Sequence, residues 1–443
     1  MSDTTSKQYK VYITPKTGQF TYGTEVEMSA EIIFNGIKTM KKSIDSSDYE
    51  IGVYTYGDIQ LKVINKNGKY NNEWDNRSIF KYTRDLAKIR VVYSDNDGDI
   101  TRFNGLINEE ATKQDIENED IVFRVLSNDS VIRTTKVAGG LIANNVLASS
   151  AVKSILNQAK ITSVLTYSAA NITVDQDFTV DDGTQFDNKN AREALNELLV
   201  ASNSVLIIDS SSNIIVQSRT FNGVSSLNLY GPYDEKMRQN IHGVKKYNTG
   251  RHKTLTSIKV GSVVADAAGH IADYGYRQKS FSMPFITTDA TKTTLATKIL
   301  NEFKEPMIEC EVSVPVHVAK NVDLLDPVSL NYPLRVKRIA GKFLPVVGIT
   351  EIGDAEMPIP NTYGNAAIAP NVGFKVVEIS ENPTNFETIL KLRQFGWFTD
   401  PGSCYVGFAK IGLSTICGSG EDCDKFEVAF VGGGTVGCTL IAW

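Results

Sequence analysis

Ile59-Gln60-Leu61-Lys62-Val63-Ile64, followed by Asn65-Lys66-Asn67-Gly68-Lys69-Tyr70, decides how the chain is read. It belongs to a longer stretch, Tyr49 to Leu126, that continues through Leu86-Ala87-Lys88-Ile89-Arg90-Val91-Val92-Tyr93. Next come an Asp95-Asn96-Asp97-Gly98-Asp99 turn, Ile100-Thr101-Arg102-Phe103-Asn104-Gly105-Leu106-Ile107 and Asp120-Ile121-Val122-Phe123-Arg124-Val125-Leu126. Apolar and polar residues alternate at period two, which places one face of each run against a core. Asn-Gly and Asp-Gly steps bound the runs and supply the positive φ angles that tight turns need. The pattern predicts a β-meander that curls into a small barrel.

Working outward, Tyr9-Lys10-Val11-Tyr12-Ile13 and Glu25-Val26-Glu27-Met28-Ser29-Ala30-Glu31-Ile32-Ile33-Phe34 alternate like half-buried strands of the same barrel. Asn35-Gly36 is expected to form a hairpin turn after the second. From about Ser127 the period changes. Val152, Ile155, Leu156 and Ala159 fall at helical spacing within Ala148 to Ala159, as do Ala191, Ala194, Leu195, Leu198 and Leu199 within Asn190 to Ala201. The second helix leads into Ser204-Val205-Leu206-Ile207-Ile208-Asp209, a polar turn and Ile214-Ile215-Val216-Gln217-Ser218-Arg219, a helix followed by a hairpin. Strands return at Thr256 to Val260, Ile308 to Val314, Val328 to Tyr332 and Phe343 to Ile352. Among them lies one helix, Thr291 to Phe303, with Leu295, Ile299 and Phe303 on its apolar face and Asp289 as its expected cap. Met357 to Asn371 holds three prolines and no periodicity, which reads as an extended connector.

Four stretches resemble bacteriophage tail hub proteins, the tail tip or baseplate hub family. Leu61 to Tyr70 is similar to the "apolar strand, Asn, x, Asp/Asn-Gly, x, aromatic" signature of their first domain, and Phe103-Asn104-Gly105-Leu106-Ile107 to the "Phe, x, Gly, x, Ile" strand that follows it. Leu324-Leu325-Asp326-Pro327-Val328 is similar to the strand start of their second barrel, and the helix-hairpin order of residues 190–219 to their second domain. The resemblance covers roughly residues 10–355 and implies a β-rich multidomain (α+β) fold. Its expected parts are a first hub β-barrel over 1–126, an inserted α+β domain over 127–235 and a second hub β-barrel with a helix over 236–356. A linker over 357–371 and a C-terminal four-cysteine module over 372–443 complete the division.

Length and composition agree with several domains: 443 residues exceed one ordinary core at a prior of about 100 to 200 residues per domain. A composition of 42% hydrophobic and 22% charged residues is that of a globular chain. The net charge of −5 gives no electrostatic footprint for general nucleic-acid binding, and Lys245-Lys246 with Arg251-His252-Lys253 reads as a solvated loop. The polar start, Met1-Ser2-Asp3-Thr4-Thr5-Ser6-Lys7, lacks the apolar core of a signal peptide, and no run reaches the ~18 apolar residues of a membrane span. Synthesis in a cytosol without stable membrane insertion is the expectation.

Four of the five cysteines, Cys404, Cys417, Cys423 and Cys438, fall near the C-terminus at separations of 13, 6 and 15 positions. Four thiolates suit a tetrahedral zinc site or an iron–sulfur cluster, and Gly418-Ser419-Gly420 and Gly432-Gly433-Gly434 let the backbone turn tightly around it. Some tail tip proteins carry a cysteine-ligated iron–sulfur domain, although this chain has no Cys-x-x-Cys. Two disulfides in a small module, or free buried thiols, remain open beside the metal. Cys310, alone in a strand, reads as core. Asp95 to Asp99 is a poor calcium loop, because Leu106 stands where a closing Glu belongs. His242, His252, His270 and His317 are scattered, no His-Glu-x-x-His or Gly-x-Ser-x-Gly occurs, and nothing selects a carboxylate pair.

No enzyme is therefore expected. The resemblance implies a structural hub: a homotrimeric ring at the distal end of the tail tube that matches a six-fold tube to a three-fold spike or fibre and closes the channel. Implied partners are the distal tail or tail tube protein, the central spike or fibre and a tape-measure protein in the channel. The genome would pass through without sequence recognition, and the ring would belong to a virion assembled in host cytoplasm. A hub of another contractile injection apparatus and a tail-associated cell-wall hydrolase are the alternatives.

Overall fold

The computed structural model describes residues 8–44, 55–160, 163–219, 226–231, 239–248, 251–331, 372–397, 428–429 and 435–436. The organising stretch forms antiparallel strands, as its alternation requires. These are β1 (Gln8–Thr14), β2 (Val26–Glu27), β3 (Ile32–Ile37), β4 (Met40–Ile44), β5 (Thr55–Ile64), β6 (Lys88–Asp95), β7 (Gly98–Asp115) and β8 (Asp120–Ser127). Register matches apolar to apolar: Leu61 faces Phe123 and Val63 faces Ile121 across β5 and β8, and Val11 faces Val91 across β1 and β6. All six side chains are buried, each contributing about 1.5–3 kcal/mol from burial. The Asp-Gly turn closes the β6–β7 hairpin with Asp95 opposite Gly98.

Two details depart from simple alternation. Residues Glu25 to Phe34 are not one strand, because a 3-10 turn at Ser29–Glu31 separates β2 from β3. Asn35-Gly36 is not the expected hairpin turn but an irregularity inside β3, where the register to β5 shifts between Ile32 and Ile37. Asn35 takes φ 59°, and a Cβ on Gly36 would stand 2.5 Å from the Lys62 carbonyl oxygen, so the pair accommodates a close backbone approach.

The next segment comprises α1 (Ser130–Thr134), β9 (Val146–Leu147), α2 (Ala148–Ala159), β10 (Thr179–Val180), α3 (Ala191–Ala201), β11 (Ser204–Ile208) and β12 (Ile214–Ser218). Asn190 caps α3, its side-chain oxygen accepting from the Arg192 N–H at 2.9 Å. The faces read from sequence, including Val152, Ile155 and Leu156 of α2 and Leu195 and Leu198 of α3, form one core with β11 and β12.

The later chain adds β13 (Leu227–Tyr230), β14 (Gly243–Asn248), β15 (Ser257–Val260), β16 (Val263–Asp266), α4 (Ala268–Tyr274), β17 (Gln278–Phe281) and α5 (Asp289–Phe303). It ends in β18 (Glu309–Pro315), α6 (Val316–Ala319), β19 (Pro327–Asn331), β20 (Val372–Asn382), β21 (Glu387–Trp397), β22 (Val428–Ala429) and β23 (Thr435–Val436). Thr288, not Asp289, is the N-cap of α5; Asp289 is its first residue. Leu295, Ile299 and Phe303 of α5 pack in the same core as α2 and α3, although sequence order assigns them to a different domain.

The chain divides into two compact units. The first takes the described residues within Met1–Phe221, Lys245–Leu325 and Val376–Arg393. Its main sheet runs β14-β18-β21-β20-β4-β5-β8-β7-β6-β1-β2, with β3 beside β5, and among the described residues no ladder joins its ends. The β20–β21 hairpin, grouped on sequence with the terminal module, supplies the middle of this order: Glu378 to Glu381 pair with Ser43 to Met40, and Glu309 to Pro315 of β18 pair with Arg393 to Glu387. In the second unit, β13 runs parallel to β19, which pairs antiparallel with Gly373 to Lys375. The strand expected over Phe343 to Ile352 and the connector over 357–371 lie outside the described residues.

Candidate functional site

Cys404, Cys417, Cys423 and Cys438 all lie outside the described residues. Cys310 sits buried in β18 opposite Leu392, and burial first, the Glu309 charge second, push its thiol up to about 12. That is a packed small side chain rather than a nucleophile. His270 Nε2 lies 2.5 Å from Glu305 Oε1, and no group of three His, Cys, Asp or Glu among the described residues is arranged to hold a metal.

The first unit's densest polar constellation is one that sequence does not announce. Between Val91 and Val92 the β6–β7 register slips: Val91 faces Phe103 and Val92 faces Thr101, leaving Arg102 as the extra residue of a bulge. A bulge re-aims a side chain, and here Arg102 meets Glu381 of β20. Its Nε and Nη2 donate to Glu381 Oε2 at 2.9 and 2.7 Å, while Nη1 donates to the Lys320 carbonyl. Tyr9 Oη donates to Glu381 Oε1 at 2.7 Å, so both carboxylate oxygens are satisfied. The Tyr9 ring stacks on Phe386 at 5.6 Å. Burial first, and then the Glu381 charge, push the Tyr9 hydroxyl far above the usual phenol range, so it stays a donor. The guanidinium is nearly sealed from water, which works against its charge, yet Glu381 holds its pKa above the usual value.

Beside this pair lies a cavity of about 220 Å³ lined by Met40, Lys41, Lys42, Phe103, Lys320, Asp323 and Ile379, among others. Every cation around it has an answering carboxylate. Lys41 pairs with Glu378 at 3.1 Å, Lys42 with Asp323, Arg102 with Glu381, and Lys320 with Asp95 and Asp97 at 2.8 and 2.5 Å. Four cations against five carboxylates leave no surplus positive charge for an anionic ligand. The arrangement can hold remote segments in register: β1, β7, the loop after α6 and β20. Removing one partner of the buried Arg102–Glu381 pair costs about 3–5 kcal/mol.

The Asp95 to Asp99 stretch thus serves as the hairpin expected of it and, in addition, as the anchor of Lys320. Arg102, Lys320 and Glu381 were invisible to sequence patterning because their partners lie more than 200 positions away. The one local signal is the broken alternation at Thr101-Arg102.

No known family and no curated protein matches the chain. Solved structures do. The tail protein from Neisseria meningitidis MC58 superposes with a TM-score of 0.54 at 10% identity, over 89% of this chain and 99% of that one. The 43 kDa tail protein of prophage MuSo2 from Shewanella oneidensis gives 0.49 at 10% identity, over 87% and 97%. Prophage tail protein gp18 from Listeria monocytogenes EGD-e gives 0.49 at 11%, over 87% and 94%. At this identity the Neisseria likeness establishes a shared fold along nearly the whole of both chains.

Proposed function

We propose that the chain is a structural hub of a phage tail: a homotrimeric ring at the distal end of the tail tube that matches a six-fold tube to a three-fold spike or fibre and closes the channel. The observation that carries this reading is the fold shared end to end with the Neisseria tail protein. The charge-balanced Arg102–Glu381 junction supports it, since it offers a rigid scaffold and no vacant charge for substrate. In this reading strands of the first unit curl into two barrel-like modules per chain, so that three chains present six similar surfaces to the tube. Its neighbours are the tail tube or distal tail protein, the spike or fibre and the tape-measure protein. The genome passes through without sequence recognition, and the ring is built in host cytoplasm and carried in the virion.

Cys404, Cys417, Cys423 and Cys438 are proposed to hold an iron–sulfur cluster, with zinc or two disulfides as the other outcomes. Native mass spectrometry of the full chain, with iron, zinc and labile sulfide measured on protein prepared without oxygen, tests both parts. A three-chain mass supports the ring, and a single-chain mass at every workable concentration overturns it. Iron with sulfide supports the cluster, and their absence removes it.

A further inference from the structure

Across β5 and β8 apolar residues face apolar residues: Ile59 meets Val125, Leu61 meets Phe123 and Val63 meets Ile121. The ladder between β4 and β20 differs in kind. Met40 faces Glu381, Lys41 faces Ser380, Lys42 faces Ile379 and Ser43 faces Glu378, so no apolar residue there stands opposite another. The core beneath divides in the same place. Met40 joins Val11, Leu61, Val91 and Phe123 in one apolar core. Among the described residues, none of the buried apolar side chains of β18, β20 and β21, such as Val312, Ile379 and Leu390, belongs to it. At this seam the sheet is continuous in its backbone pairing and interrupted in its hydrophobic packing.

Charge and space occupy the seam instead. Arg102 meets Glu381, Lys41 meets Glu378, Lys42 meets Asp323 and Lys320 meets Asp95. In each pair one partner belongs to the β1–β8 set and the other to β20 or the loop after α6. The cavity of about 220 Å³ lies here too, lined by Met40 and Phe103 from the first set and by Val322 and Ile379 from across the seam. A lone charge left in a closed seam is costly. A seam that opens returns both partners of every pair to water, and the hydration they recover largely offsets the attraction they lose. Little apolar area is uncovered, because little is shared.

The strands beyond the seam have a separate hold. Arg393 of β21 lies over the Phe303 ring of α5 at 4.8 Å, and Glu309 of β18 pairs with Lys253 at 2.6 Å. Phe303 in turn belongs to the core of α2 and α3. These contacts keep β18, β20 and β21 in place when the seam parts.

We infer that the β4–β20 seam is a joint, along which β18, β20 and β21 turn away from β1–β8 while each set keeps its own pairing. The inference goes beyond the ring reading and does not need it, because the joint is a property of one chain. In an assembled particle it lets the two strand sets settle at different angles against their neighbours.

Native-state hydrogen exchange of the full chain at several low urea concentrations, resolved by fragmentation in the mass spectrometer, tests it. Seam-facing amides of β4 and β20 exchange about tenfold or more faster than those of β5 and β8, with a weaker dependence on urea, because opening the seam exposes less surface than unfolding. Two variants separate a joint from general looseness. Ile121→Val, inside the β1–β8 core, speeds β5 and β8 about 3- to 10-fold and leaves the seam amides unchanged. Arg102→Met speeds both sets together, by about 100-fold or more, since either opening breaks the same ion pair. Seam amides that exchange at the rate of β5 and β8 in the wild type, or that follow Ile121→Val, overturn the joint. So does seam exchange that Arg102→Met leaves unchanged; should that variant fail to fold, the wild type and Ile121→Val decide.

Discussion

Arg102 and Glu381, 279 positions apart, meet at 2.7 Å with both side chains nearly sealed from solvent. The pair joins the bulged residue of β7 to the end of β20, and Tyr9 of β1 completes it. Arg102→Met should leave a buried carboxylate short of its cation and lower the unfolding free energy by about 3–5 kcal/mol. Arg102→Met with Glu381→Met should recover much of that loss, because an apolar pair of similar volume carries no desolvation penalty. Urea unfolding of the two variants checks the sign, and equal losses in both would refute a coupled pair.

Gly105 lies in the Phe103 to Ile107 strand whose pattern resembles the hub signature. A Cβ there would stand 2.4 Å from the Leu126 carbonyl oxygen and 2.7 Å from Phe103 Cε1, and the first of these is backbone that cannot turn aside. Gly105→Ala should therefore cost about 1–3 kcal/mol by overpacking, read as a lowered thermal midpoint. An unchanged midpoint would mean the strand pair has room that the geometry denies.

Tyr22 supplies an alkaline test. Burial, then the Asp85 charge, raises its pKa from 10.0 to about 12, and its hydroxyl donates to the Leu86 carbonyl at 3.1 Å. A group whose folded pKa is raised contributes stability that is complete below the unfolded value and lost as pH rises through the folded one. Stability should accordingly fall between about pH 10 and 12. Tyr22→Phe should cost about 0.5–1.5 kcal/mol at neutral pH and flatten that fall, measured as midpoints across the pH range. Tyr9 acts with the same sign.

Cys310 should resist alkylation in the folded protein at pH 8, because its thiol is buried and its pKa pushed up to about 12. Peptide mapping after iodoacetamide treatment, native and then denatured, separates it from Cys404, Cys417, Cys423 and Cys438. Labelling of Cys310 before unfolding would contradict the packed β18.

Much of the fold was legible because burial imposes a period. Ile59, Leu61 and Val63 alternate in sequence and face one core, and α2 and α3 bury the stripes their spacing marks. What escaped reading is non-local. The β20–β21 hairpin pairs with β4 and β18 across long loops, and α5 shares the core of α2 and α3; neither leaves a local trace. Bulges hide as well: at Arg102 one residue breaks the register, and between Asn108 and Lys113 four residues of β7 answer one of β8, which frees Glu109 to hold Arg84 at 2.6 Å. Alternation detects strands but does not count residues between ladder pairs.

Cryo-electron microscopy of tail particles that carry this chain tests the central claim most directly. The account predicts three copies in a closed ring around the channel at the distal end of the tail tube, between tube and spike. Particles whose distal ring lacks the chain, or that hold it elsewhere as single copies, would contradict it.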